Sequence, residues 1–395
     1  MFFSVDVGSM PQRYSPEALT AKLVSFDTVS DRSNLPLVDF VSAYLAGYGV
    51  EGIRLPDASG EKAALFATIG PRDKGGVCLS GHVDVVPVEG QAWTSPPFEA
   101  SMRDGRLYGR GSADMKGFVA TALSLVPEFL EANLATPIHL CLSYDEEITC
   151  HGSLDAIRRF GRDLPKPVAC IVGEPTGMEV VNAQKSLASY VTTVTGQPAH
   201  SAMPALGANA LHAAAQVIVE LDRIADELRE RGDPSGRFDP PYSTVQAGLI
   251  RSGEAVNIIP AHATVVWECR GVPSLDTDEV PERIRRFSRD VVGPKLRRTV
   301  PAATIETELG VMVPELAPDP GSLVETLALR LAGRNRTHAV SYGTEAGHFQ
   351  KGGVPTVICG PGSIEQAHRA DEWIALSELD ACAGFLRGLA AALSA

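Results

Sequence analysis

Val77-Cys78-Leu79-Ser80-Gly81-His82-Val83-Asp84 is the stretch that decides the fold. Its first five residues are apolar or small, a run too short for a core helix, and they end in an imidazole and a carboxylate. The stretch therefore reads as a buried strand that delivers polar side chains at its carboxyl end. His82 and Asp84 stand two apart and face the same side. The pattern recurs: Glu146 and Glu147 follow an apolar run at 138–144, Glu174 follows one at 168–172, and His368 comes soon after one at 354–359. In an open parallel sheet the ligand crevice lies outside the carboxyl ends of the strands. Repeated delivery of His, Asp and Glu to that edge predicts an α/β fold with a doubly wound, mostly parallel sheet and a polar centre.

Working outward, residues 16–26, 37–48, 115–130 and 153–160 have helical spacing, and Asp104-Gly105 between short extended segments marks a hairpin. From about residue 185 the order changes to strand 186–195, helix 207–231, strands 244–250 and 263–270, helix 276–291 and strand 303–310. That βαββαβ order predicts a ferredoxin-like domain inserted into the first. The chain then resumes with helix 322–333, strand 354–359 and the Ala-rich helix 376–393. The predicted division is 1–184, 185–312 and 313–395, with the Pro-rich loop 233–241 a mobile connection inside the insertion. A length of 395 residues suits two domains.

Hydrophobic residues make up 44% of the chain, yet no apolar stretch approaches the roughly 20 residues that span a bilayer. The start, Met1-Phe2-Phe3-Ser4-Val5-Asp6, has neither a basic nor a long apolar region of the secretory kind, so a cytoplasmic enzyme is expected. Seven cysteines without a CxxC pair point to buried small hydrophobes, not to disulfides or a thiolate metal site. A formal net charge of −13 disfavours nucleic acid and anionic membranes as partners.

His82, Asp114, Glu147, Glu174 and His368 supply the imidazole nitrogen and carboxylate oxygen that zinc and similar divalent ions take. Two such ions about 3.5–4 Å apart need a shared carboxylate. Asp84 can accept the second ring N–H of His82 and fix its tautomer. Asp114 lies in Gly109-Arg110-Gly111-Ser112-Ala113-Asp114-Met115-Lys116-Gly117, where a plain helix cap is the competing reading. Of the adjacent pair Glu146-Glu147, one can bind metal while the other serves as general base. Without a cation so many carboxylates together would repel one another. A glycosidase using Glu146 and Glu174 would leave His82 and His368 without a role. There is no GxSxG elbow, HExxH helix or complete P-loop. His139, His212, His262 and His338 read as structural; His151 and His348 are left open.

With these residues in place the chain resembles the M20 family of metallopeptidases and deacylases, above all its acetylornithine deacetylase branch. The matching stretches are Ser80-Gly81-His82-Val83-Asp84-Val85-Val86-Pro87, the 109–117 loop, Asp145-Glu146-Glu147, Gly173-Glu174-Pro175-Thr176 and Gly360-Pro361-Gly362-Ser363-Ile364-Glu365-Gln366-Ala367-His368. The resemblance implies that His82 and Glu174 hold one metal, Glu147 and His368 the other, and Asp114 both. It makes Asp84 the residue that orients His82 and Glu146 the general base. It matches His200 in Gln197-Pro198-Ala199-His200-Ser201 to a histidine that reaches across a dimer to the oxyanion, where the residues alone suggest a turn. Asn257 and Arg270 match substrate contacts in a lid, Arg270 suiting a carboxylate, and Tyr342-Gly343-Thr344-Glu345-Ala346-Gly347 a pocket loop with Gly343 and Thr344 at the substrate.

The expected function is hydrolysis of an N-acyl amino acid, N-acetylornithine foremost, in arginine biosynthesis. The cofactors would be two divalent ions, zinc by default with cobalt or manganese also fitting, in a homodimer formed through the inserted domain. The alternatives are a sister activity (desuccinylase, aminoacylase or dipeptidase) and a catalytically silent binding protein.

Overall fold

The computed structural model describes residues 12–394, so residues 1–11, with the start read above for targeting signals, lie outside the described residues. Alternation along the strands sets up the first layer. Leu65, Leu79, Leu140, Ile171 and Val357 point to one face and join the main core. Phe66 and His139 point to the other, where the Phe66 ring packs against His139 (5.3 Å) and Phe160 (5.8 Å). With both faces covered, the strands read as continuous apolar runs.

The eight strands follow the order Gly52–Pro56, Ala63–Ile69, Ile138–Ser143, Val77–His82, Ala169–Pro175, Thr356–Gly360, Val181–Gln184 and His338–Val340. Val77–His82 pairs in parallel with Ile138–Ser143 and Ala169–Pro175, and Ala169–Pro175 with Thr356–Gly360. The outer pairings of Ala63–Ile69 are antiparallel. This is the mostly parallel sheet that the sequence predicts. Helices Leu35–Gly47, Gly117–Ser124, Leu323–Ala332 and Leu376–Leu393 bury their apolar stripes on the first face. Ser322 starts Leu323–Ala332 by accepting the Glu325 N–H, and Gly333 ends it in the left-handed region that L side chains rarely adopt.

The single helix predicted over 115–130 is two, Gly117–Ser124 and Val126–Glu131. Pro127 has no N–H to give the turn before it, which breaks the helix at Leu125. Asp104-Gly105 does form the predicted hairpin, between Ser101–Arg103 and Arg106–Tyr108.

The described residues divide into two compact units, residues 12–182 with 318–338 and 344–394, and residues 183–317 with 339–343. The second unit thus runs past the predicted end at 312 and takes back a short segment at 339–343. The second unit is a four-stranded antiparallel sheet, Thr244–Ser252, His262–Arg270, Leu187–Thr195 and Thr304–Val313, in βαββαβ order with helices Ala210–Arg231 and Glu279–Phe287. Its core centres on Trp267, which stacks on Tyr190 at 4.3 Å and donates its indole N–H to Thr192. The loop 233–241, expected to be a mobile connection, is held by several hydrogen bonds. The Asp233 carboxylate accepts the N–H groups of Ser235 and Arg237, and the buried Lys185 ammonium donates to the carbonyls of Pro240 (2.9 Å) and Tyr242 (2.7 Å).

Candidate metal centre

The parallel register sets His82 beside Ser143 and Ser80 beside Val172, so neighbouring strands finish together. Past Ser143 the chain turns through Asp145 in the left-handed region and opens the short helix Glu146–Thr149; the Glu pair therefore stands at a helix start, not at the strand end itself. Glu174 lies within Ala169–Pro175, and the residue before it must be glycine: a Cβ on Gly173 would sit 2.0 Å from the Phe118 ring. Asp114 arrives on the non-helical turn before Gly117, and His368 on the loop after Thr356–Gly360.

These side chains converge. His82 Nε2 lies 3.1 Å from Asp114 Oδ1 and 3.9 Å from Glu174 Oε1, while His368 Nε2 lies 3.4 Å from Asp114 Oδ2 and 2.9 Å from Glu147 Oε2. Each oxygen of Asp114 thus faces a different imidazole. Candidate ligand atoms group as His82, Asp114 and Glu147, and as His82, Glu146 and Glu174. Glu146 Oε1 takes a hydrogen bond from Cys150 Sγ at 3.1 Å.

The electrostatics suit cations. Burial raises the Glu146 carboxyl to about 8 and Glu147 to about 7, with the Asp114 charge adding to both, and it pushes Glu174 well above the usual range. For Asp114 burial acts the same way, but hydrogen bonds from the His368 and His82 rings outweigh it and hold the carboxyl well below its ordinary value. Hydrogen bonds to Asp114 and Glu147 raise His368 to about 10. The donor set fits divalent metal on a direct sign as well: Glu174 Oε1 is buried and has no hydrogen-bond partner.

Asp84 meets the His82 ring through both its carbonyl and its carboxylate. His82 Nδ1 bonds the main-chain carbonyl of Asp84 at 2.9 Å, while the Asp84 carboxylate is 3.5 Å away and accepts from Ser30 Oγ (2.7 Å). Three residues that sequence reasoning gave no role also touch this region. Glu372 accepts the Asp114 N–H, Arg110 pairs with Glu372, and Glu345 is buried with Ser80 Oγ donating to it at 2.5 Å. All three lie in or beside the quoted motifs, and an acid four residues after His368 was the available signal.

His200, Asn257, Arg270 and Gly343 belong to the second unit, Thr344 to the first. The Ala202 N–H donates to His200 Nδ1 at 3.1 Å, which puts the proton of a neutral ring on Nε2. Glu268 takes the Nε hydrogen of Arg270, not its Nη fork. Thr344 is buried, and its hydroxyl accepts the Ala346 N–H. His139 is buried against Phe66 and Thr68, and burial lowers it to about 4. The His151 and His348 rings meet edge to face at 5.7 Å. All seven cysteines are free and buried.

The model of peptidase family M20/M25/M40 matches residues 78–392. The chain belongs to this family. An acetylornithine deacetylase from Photorhabdus laumondii is 34% identical over 363 residues, 91% of this chain and 90% of the relative. Another from Myxococcus xanthus is 34% identical over 377 residues, 93% and 95% of the two chains. Among solved structures, an M20 family metallo-carboxypeptidase from Sulfolobus solfataricus superposes with a TM-score of 0.72 at 19% identity, covering 96% of this chain and 99% of its own. A Bacillus subtilis protein described as a dinuclear metal binding peptidase from the M20 family gives 0.65 at 16%, covering 95% and 98%. This M20 chain is a hydrolase of amide bonds, its buried His and carboxylate cluster is a possible metal centre, and no helix among its described residues is long and apolar enough to cross a membrane.

Proposed function

We propose that this M20 hydrolase removes a small acyl group, acetyl foremost, from the α-nitrogen of an amino acid such as ornithine, as a step of arginine biosynthesis in the cytoplasm. The observation that carries the reading is Asp114 between His82 and His368, with Glu146 beside His82 and Glu174 and outside the His368 pairings. The deacetylase relatives, matched across nine-tenths of the chain, support the acyl group.

His82, Asp114 and Glu174 would hold one divalent ion and Asp114, Glu147 and His368 the second, with zinc the default and cobalt or manganese also suited to such donors. Bound there, the pair would polarise the amide carbonyl and acidify the attacking water. Glu146 then takes a proton from that water and delivers it to the leaving nitrogen, a task for a carboxylate whose surroundings raise its affinity for protons. His200 presents Nε2–H to the developing oxyanion, contributed from a partner copy in a homodimer built on the second unit. Asn257, Arg270 and the Gly343-Thr344 turn contact the substrate, with the Nη fork of Arg270 taking its α-carboxylate.

The test is a hydrolysis screen of N-acetyl-ornithine, other N-acetyl amino acids, N-succinyl amino acids and dipeptides, with zinc or cobalt supplied. Preference for N-acetyl-ornithine by kcat/KM is the expected result. A tenfold or greater preference for N-succinyl or dipeptide substrates would move the chain to a sister activity.

A further inference from the structure

The centre's ligands are held in two ways. His82 and Glu174 sit within paired strands, so the sheet fixes them. Asp114 and His368 sit on loops, and His368 has φ +62°, in the left-handed region that L residues other than glycine adopt uncommonly. The His368 side chain is 55% exposed, so packing does not place it. Both loops run to one buried ion pair. Glu372 Oε1 accepts the N–H groups of Ala113 (2.9 Å) and Asp114 (3.1 Å), and Oε2 accepts Gly111 N–H (2.9 Å) and Arg110 Nη1 (2.8 Å). Arg110 Nη1 also reaches the Arg369 carbonyl (3.2 Å), and Nη2 reaches Gln91 Oε1 (2.5 Å). Gln91 completes the circuit by donating to the His368 carbonyl at 3.1 Å.

A buried ion pair is poor evidence of stabilisation, since desolvation offsets most of the attraction. This one has a positional logic. Its carboxylate is saturated by donors from the loop that carries Asp114, and its guanidinium reaches the loop that carries His368. We infer that Arg110, Glu372 and Gln91 form a clasp that sets the spacing of Asp114 and His368 and so selects the affinity of the second metal site, the one with Glu147. The inference rests on the two-ion reading above. These are positioning residues, since none reaches the ligand atoms themselves. The strand-held pair, His82 and Glu174, is outside their control.

The experiment is a stepwise zinc titration of the metal-stripped full chain by competition with a chromophoric chelator. His368→Ala identifies the step that belongs to the second site. Gln91→Leu, which loosens only the His368 side, should weaken that step by about 10- to 100-fold and leave the other within about threefold; Arg110→Met and Glu372→Gln, which also free the loop of the shared Asp114, should weaken both steps, and all three should regain kcat as free zinc is raised. Gln91 is only partly buried, so Gln91→Leu folds even where a variant of the buried pair does not, and a thermal melt verifies this. For folded Gln91→Leu, equal weakening of both steps or no change in either overturns the clasp. A wild-type chain that takes up fewer than two ions overturns the two-ion reading itself, and the clasp with it.

Discussion

The carboxylate of Asp84 accepts the main-chain N–H of Glu146 at 3.2 Å, and its other oxygen accepts that of Glu147 at the same distance. Asp84 thus caps from outside the short helix that presents the Glu pair, where orphan N–H groups and the helix dipole favour a negative charge. A residue expected to orient His82 thus also joins the first strand end to the turn after the second. Asp84→Ala should lower kcat by about 10- to 100-fold, since both Glu146 and Glu147 lose their anchor, and should weaken zinc binding. Asp84→Asn, which keeps one carbonyl acceptor, should fall between. The measurement is kcat with metal content determined on the same samples. An Asp84→Ala protein with unchanged kcat and full metal would show that the turn holds itself.

Glu146 and Glu147 differ in what they touch, and their substitutions should differ too. Glu147 Oε2 meets His368, whereas Glu146 takes the Cys150 thiol hydrogen. Glu146→Gln should retain two metal ions per chain and lose about 10²-fold or more in kcat, while Glu147→Gln should lose one ion. Elemental analysis beside steady-state kinetics decides it. The reverse pattern would exchange the two roles.

Much of this arrangement was legible because strand ends are. Short apolar runs closed by His or an acid located the central strands, and the change of order at about residue 185 located the second unit. What escaped has a common physical cause. The Arg110–Glu372 pair joins positions 262 residues apart, and a carboxylate saturated by main-chain N–H groups leaves no periodic mark in the sequence. The break at Leu125 was readable from Pro127, but continuous apolar spacing on both sides masked it. Spacing put Asp84 on the face of His82, where the two side chains pair, but could not show its second task of holding the N–H groups of Glu146 and Glu147.

Metal uptake should release protons. In the metal-free protein burial pushes the Glu147 carboxyl up to about 7 and that of Glu146 up to about 8, and hydrogen bonds to Asp114 and Glu147 push His368 up to about 10. At pH 6.5 these groups therefore carry protons, and Glu147 and His368 must lose theirs to act as ligands. Zinc affinity should rise with pH from 6 to 8, and at pH 6.5 binding should release at least one proton per chain. Calorimetry in two buffers of different ionisation enthalpy measures the number directly. Identical apparent enthalpies in both buffers would mean that the ligands are already deprotonated.

The final prediction concerns His200, whose Nδ1 is occupied by the Ala202 N–H, leaving Nε2–H as the donor of a neutral ring. An oxyanion needs such a donor, so His200→Ala should lower kcat by about 10² to 10³ with the metals still bound. If the residue acts in the partner's site, two inactive proteins can repair each other. His200→Ala and Glu146→Gln, mixed under conditions that exchange subunits, form heterodimers. In each, one site draws Glu146 from the His200→Ala chain and His200 from the Glu146→Gln chain. Up to about half of wild-type activity per heterodimer should return, because the second site carries both defects. Exchange is verified by native mass spectrometry of one isotopically labelled chain. Proven exchange without recovered activity would assign His200 to its own chain's chemistry or to none.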